Sequence, residues 1–201
     1  MPPILPVSEF TNSRAETIHE MLRLLRGANT NKPLCQRLRG PQKGGFLVIA
    51  SNDDVGKGGD YRDWRLRSFV DDFWFQYHEL WQFTSPAQKE VRLYRAYLSI
   101  FRKSDQQNLD EFVLIHCDPF DKPDDQDERS LEEKELTCKH KRGPHLHLMK
   151  THDATIPHSH FPLNLGHLDD ALSTAEKLTN EIRRAIEVIR HEVLVLSLRK
   201  G

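Results

Sequence analysis

Residues 64–82 read WRLRSFVDDFWFQYHELWQ. Leu66, Phe69, Val70, Phe73, Tyr77, Leu80 and Trp81 recur in this stretch at spacings of one, three and four. Such spacing lays an apolar stripe along a helix of 3.6 residues per turn. The aromatic side chains in the stripe bury large surfaces, so the stretch is expected to form a central core helix. Ser85-Pro86 would end it, because the residue before a proline is driven out of helical φ/ψ. On this reading the fold is α+β, a small antiparallel sheet packed by the central aromatic helix and by a long C-terminal helix.

The strands of that sheet are sought on either side. Residues 90–103 alternate, with Arg92, Tyr94, Ala96, Leu98 and Ile100 on one face and Leu93, Arg95, Tyr97 and Phe101 on the other. After the polar turn SDQQNLD, residues 111–117 (EFVLIHC) return as a buried strand, which makes an antiparallel hairpin. Residues 46–50 (FLVIA) form a further buried strand. Residues 136–140 and 145–149 are expected to pair as short strands across Lys141-Arg142-Gly143-Pro144. From about Leu168 a long amphipathic helix carries Leu172, Ala175, Leu178, Ile182, Ala185, Ile186 and Ile189 on one stripe. Asp169 and Asp170 stand at its start, where the helix dipole favours acids.

Upstream of the central stretch, residues 1–12 read as an irregular arm, and Ser13-x-x-Glu16 has capping-box spacing. Ile18, Met21, Leu22 and Leu25 then give a helix stopped at Gly27. Residues 27–45 read as loop with a short helix at 34–38. The run Gly56-Lys57-Gly58-Gly59 lacks the Ser or Thr that a phosphate loop places after its lysine, so it reads as a turn. The 201 residues suit a single domain, with an N-terminal helix and loops over 1–60, an α+β core over 61–201 and an acidic loop at 118–135. That loop, DPFDKPDDQDERSLEEKE, is too polar to bury its own surface and reads as a solvated segment.

Charge and cysteine content narrow the function classes. The 29 basic residues almost cancel the 30 acidic ones, so net charge gives no sign of nucleic-acid binding, although residues 14–39 and 139–142 are locally basic. Cys35, Cys117 and Cys138 are odd in number and lack Cys-x-x-Cys spacing, which argues against a disulfide framework. No signal peptide or long apolar run is present, so a cytoplasmic protein without a membrane partner is expected.

Chemistry concentrates in residues 142–163, RGPHLHLMKTHDATIPHSHFPL. Eleven histidines occur in the chain, eight of them between His116 and His167. Two His-x-His pairs, His145/His147 and His158/His160, lie in this stretch. On a strand, residues two apart share a face. His145 and His147 would thus stand together, free to work, with Leu146 and Leu148 turned to the core. Pro157 and Pro162 restrict the loop that carries the second pair. Two chemistries remain open. His145, His147, His158 and His160, with His116 and the further donors Asp118, His152 and Asp153, could hold a divalent metal such as zinc. The same imidazoles could instead act without metal as general acid and base. Cys117, set among apolar residues, is expected to stay a thiol and not a nucleophile. Lys141, Arg142 and Arg95 supply cations suited to a phosphodiester, and Tyr94, Tyr97, Phe120 and Phe161 could stack bases.

The order YRAYLSIFR, polar turn, EFVLIHCDP and then PHLHL is similar to the TumE-type toxins of bacterial toxin–antitoxin pairs. The resemblance covers residues 90–150, with Tyr97, Asp118, Pro144, His145 and His147 at the matching positions. It departs in its added N-terminal helices, its acidic insertion and its PHSHFPL element. The resemblance implies a nucleic-acid-directed module from a toxin or defence setting, with an antitoxin as protein partner. The leading expectation is a ribonuclease or other phosphodiesterase. Its catalytic residues would be His145, His147, His158 and His160, with Asp118 orienting an imidazole and Arg142, Lys141 and Arg95 holding phosphate. The alternative is a non-catalytic subunit of a larger assembly whose histidines are structural or bind a metal.

Overall fold

The computed structural model describes residues 2–26, 34–38, 45–51, 67–70, 73–103, 109–120, 130–135, 143–148, 159–162 and 172–194. The fold is α+β. Among the described residues, nine strands form one antiparallel sheet: β1 (Ile4–Pro6), β2 (Leu34–Leu38), β3 (Phe46–Ala50), β4 (Arg67–Val70), β5 (Phe73–Phe83), β6 (Glu90–Lys103), β7 (Leu109–Cys117), β8 (His145–Leu148) and β9 (Ser159–Pro162). The order is β2-β3-β5-β6-β7-β8-β9. Two short strands fill gaps along the long ones. β4 pairs with the start of β5 where β3 covers its end, and β1 pairs with Glu90–Arg92, the part of β6 that β7 does not reach.

The central stretch is therefore strand and not helix. The apolar residues of 64–82 fit a 3.6-residue period, but from Phe73 onward they fit a period of two as well. Phe73, Phe75, Tyr77, Trp81 and Phe83 are all buried in one core cluster on one face of β5. Glu79 stands in the same series and breaks the apolar alternation. That break is what favours the helical reading of the sequence. β6 shows a second departure. Register runs from Leu80↔Arg95 to Trp81↔Leu93, so Tyr94 is an extra residue, a β-bulge. The bulge shifts the alternation by one. Val91 and Leu93 lie in the same buried cluster as Ala96, Leu98 and Ile100, where unbroken alternation would put Leu93 on the opposite face.

Helices cover the core face. Residues 7–26 form one continuous helical run: α1 (Val7–Glu9), a π-helical turn (Phe10–Arg14) and α2 (Ala15–Arg26). The expected irregular arm is thus strand followed by helix. Ser13 lies inside the helix, where its Oγ donates to the Glu9 carbonyl at 2.8 Å and caps nothing. Residues 34–38 are strand β2 and not a short helix. The capping-box geometry occurs instead at Ser130, whose backbone N–H and hydroxyl both donate to Glu133 ahead of α3 (residues 131–135). The C-terminal helix α4 (Ala175–Val188) starts later than its apolar pattern suggests, because Thr174 Oγ1 accepts from the Lys177 amide at 3.1 Å. It runs on into a π-helical turn, Ile189–Leu194. Ile18, Met21 and Leu22 of α2 and Leu178, Ile182 and Ile186 of α4 are buried in the cluster that holds Trp81, Leu98 and Ile115. No helix among the described residues is long and apolar enough to cross a membrane.

A polar network lies inside this apolar layer. The Glu79 side chain is 0% exposed and accepts four hydrogen bonds: from Arg14 Nε (3.0 Å) and Nη2 (2.5 Å), Tyr77 Oη (2.5 Å) and Trp81 Nε1 (2.8 Å). Arg14 Nη1 donates onward to Thr179 Oγ1 and the Ala175 carbonyl of α4. Burial opposes the charge on Arg14, but the Glu79 carboxylate outweighs it and raises the guanidinium pKa above its ordinary value. Burial, then Glu79, pushes the Tyr77 phenol well up, so it stays a donor.

Removing one member of a buried ion pair leaves a charge without its partner, at a cost of about 3–5 kcal/mol. Arg14→Met should lose stability of that order in urea denaturation, and adding Glu79→Gln should restore part of it. An Arg14→Met protein as stable as the parent would show that the pair does not anchor the helices.

Candidate functional site

The sheet face opposite the helices carries a row of rings. Cross-strand register aligns His78 on β5 with Tyr97 on β6, then His116 on β7 and His145 on β8. Directly opposed residues in a sheet share a face, so four separate segments deliver these side chains side by side. The Tyr97 phenol lies parallel to the His116 imidazole, with centroids 4.0 Å apart and planes 8° apart. His78 is tilted against the Tyr97 ring at 5.1 Å, and His145 meets His116 edge-on at 5.6 Å. The Arg95 guanidinium lies 5.3 Å from the Tyr97 centroid.

Asp118, one residue beyond the end of β7, ties two of these rings together. Tyr97 Oη donates to its Oδ1 at 2.7 Å, while His116 Nδ1 lies 3.6 Å from its Oδ2. The second distance exceeds that of a direct hydrogen bond but is short for charge attraction. The row differs sharply in access. His78 and His145 are each 1% exposed, whereas the side chains of His116 and Asp118 are 15% and 27% exposed. His116 and Asp118 are thus the more exposed titratable pair of the row, although the His116 Nε2 atom itself is buried.

His145 is not free on a surface, as its strand alternation predicts. It is buried, with Nδ1 2.9 Å from the Gly143 carbonyl. A carbonyl only accepts, so Nδ1 carries a proton. The neighbouring Leu146 does pack against the core. The imidazole that lies beside Asp118 is that of His116. Burial first, then the charges of Arg95 and His116, holds the His78 pKa well below the usual histidine value. Burial, then Asp118 and Glu79, pushes the Cys117 thiol well up, which agrees with an inert thiol.

The backbone register brings the two His-x-His elements onto adjacent strands: His147 pairs with His160, and His145 with Pro162. His158, Lys141, Arg142, His152 and Asp153 lie outside the described residues. Among the described residues, no group of three or more His, Cys, Asp or Glu side chains is placed to hold a metal ion. His78 is a member of the row that sequence reasoning missed. Read as a strand, residues 73–83 would have put it on the face opposite Tyr77 and Glu79. Comparison with protein-family models, curated proteins and solved structures finds no match to this chain.

A histidine that stays neutral in the folded protein makes stability depend on pH. The unfolded chain takes up a proton near pH 6.5, while folded His78 does so only at lower pH. Between those values the unfolded state binds more protons, so stability falls as pH falls below about 6.5. The thermal midpoint should drop from pH 7 towards pH 5, and His78→Gln should flatten that slope. An unchanged slope would assign it to other groups. His145→Ala, which removes a buried hydrogen-bonded ring, should cost about 1–3 kcal/mol in chemical denaturation. A negligible loss would mean that the ring is not held as described.

Proposed function

We propose that the chain cleaves RNA-type phosphodiesters by general acid–base chemistry, with His116 and Asp118 at its centre. The observation that carries this reading is the partly exposed His116–Asp118 pair, held by the Tyr97 phenol and flanked by Arg95. A base within reach of a carboxylate is fixed in orientation and gains stability as it becomes cationic. His116 Nδ1, beside Asp118, takes the proton of a ribose 2′-hydroxyl as the 2′-oxygen bonds to phosphorus, because the Nε2 atom of the ring is buried. The bond from phosphorus to the 5′-oxygen breaks, and a second imidazole returns a proton to that oxygen. The products are a 2′,3′-cyclic phosphate and a 5′-hydroxyl. The second imidazole is one of His145, His147, His158 and His160. Arg95, with Lys141 and Arg142, opposes the phosphate charge. The resemblance of residues 90–150 to TumE-type toxins supports the same substrate class, a toxin or defence setting and a neutralising protein partner.

A second reading has its own support. The burial of His78, Tyr97 and His145 is what a structural ring stack requires, and the chain would then be a non-catalytic subunit of a larger assembly.

General acid–base groups contribute about 10²–10⁴-fold to rate. The purified protein should cleave a single-stranded RNA in the presence of a chelator, and His116→Ala should lower kcat/KM by that factor. Asp118→Asn should lower it less, because the imidazole remains. Absence of turnover on any RNA would remove the nuclease reading in favour of the structural one. Turnover abolished by the chelator would move the chemistry to a metal.

A further inference from the structure

The bulge in β6 produces a feature that the acid–base chemistry does not use. Among the described residues, Tyr94 is the only aromatic in the set of large exposed apolar side chains, at 38% exposure. It has no cross-strand partner in β5, because the register passes from Arg95 to Leu93. A bulge of this kind re-aims a side chain. Here it sets Tyr94 between two other rings. Phe46 meets it edge-on at 5.2 Å, and Phe120 stacks on it at 5.8 Å with planes 27° apart. Arg92 lies over the Phe120 ring at 4.8 Å and is held there by a 3.1 Å hydrogen bond to its cross-strand partner Gln82. Phe46, Arg92 and Phe120 are each half-buried. Phe120 lies two residues beyond Asp118, and Tyr94 three residues before Tyr97, so the cluster is close in the chain to both residues that bracket the acid–base pair.

An exposed aromatic ring fixed by its neighbours, with a cation held beside it, has the chemistry of a subsite for an unpaired nucleobase and its phosphate. Phe120 covers one face of the Tyr94 ring, so a base would stack from the other, and the guanidinium offers charge to the backbone. We infer that Tyr94, Phe120 and Arg92 form a stacking platform that takes one unpaired base of a single-stranded nucleic acid. The inference rests on the proposed phosphodiester chemistry for the identity of its ligand, and it narrows the substrate to single strands. In a duplex the bases are stacked on each other, and their faces are closed to the platform.

Binding and cleavage can be separated with a fluorescein-labelled 2′-O-methyl RNA strand, whose blocked 2′-oxygen cannot attack phosphorus. The full chain should bind this strand more tightly than its duplex. Tyr94→Ala should raise Kd for the single strand by roughly 5- to 150-fold, the usual range for loss of one base stack. Tyr94→Phe keeps the π-face and should stay within about twofold of the parent, which also controls for folding. Equal affinity of parent and Tyr94→Ala would overturn the platform, as would absence of binding by the parent or an equal loss on single strand and duplex. A dimer in sedimentation that Tyr94→Ala dissolves would likewise overturn it, in favour of self-association. RNA cleavage with no role for Tyr94 in binding would sink the platform and leave the acid–base reading standing. Tyr94-dependent binding without cleavage would do the reverse.

Discussion

A carboxylate with no access to solvent holds this fold together. Glu79 sits on the middle of β5, on the face that both helices cover, and a bare charge there would cost several kcal/mol. It is tolerated because all its hydrogen-bonding directions are filled: a forked Arg14 guanidinium, a phenol and an indole. The geometry needed is demanding. Arg14 must project from a helix at the right height, and the π-helical turn over Phe10–Arg14 is where it does so. Phe10, one turn earlier, packs edge-on against Trp81 at 5.7 Å, and the Arg14 guanidinium lies at the same distance from that ring. The helix is therefore fixed to the sheet by an apolar contact and an ionic one side by side. Thr179 and the Ala175 carbonyl extend the arrangement to α4, so one arginine ties two helices to one strand.

That inner order has a bearing on the opposite face. Adjacent residues of a strand point to opposite sides, so pinning Tyr77, Glu79 and Trp81 inward fixes the outward direction of His78 and Leu80. The ladder then passes this register from β5 through β6 and β7 to β8, and the row from His78 to His145 follows. A slip of one residue anywhere in the ladder would reverse both faces beyond it. The aromatic core and the histidine row are two consequences of one register.

Local patterns in the sequence carry some of this and not the rest. The β6–β7 hairpin, the strand at Phe46–Ala50, the HLHL strand and the apolar stripe of α4 are all legible, because each depends on a period that lies within its own segment. β5 is misread because its aromatics satisfy two periods at once, and Glu79 interrupts the shorter one. A buried carboxylate becomes intelligible only with Arg14, 65 residues away. β1 follows Pro2 and Pro3 and extends only three residues, too short to show a period, and it is a strand because β6 leaves part of its edge open. The candidate site is legible in its residue types more than in its pairing. Asp118 and the histidines stand out by composition, but that Tyr97 and His116 lie side by side next to Asp118 is a fact of cross-strand register that no single segment contains.

The same arginine also governs when the chain can fold. Its carboxylate partner is separated from it by 65 residues and its hydroxyl partner by 165. During synthesis at roughly 5–20 residues per second, the N-terminal helix emerges first and its charged anchor has nothing to meet. The wait for Thr179 lasts on the order of 10–30 s. Through that interval Phe10, Ile18, Met21 and Leu22 have no completed core to enter. Until α4 has been made, the apolar stripe of α2 lacks the helix beside which it packs in the finished core.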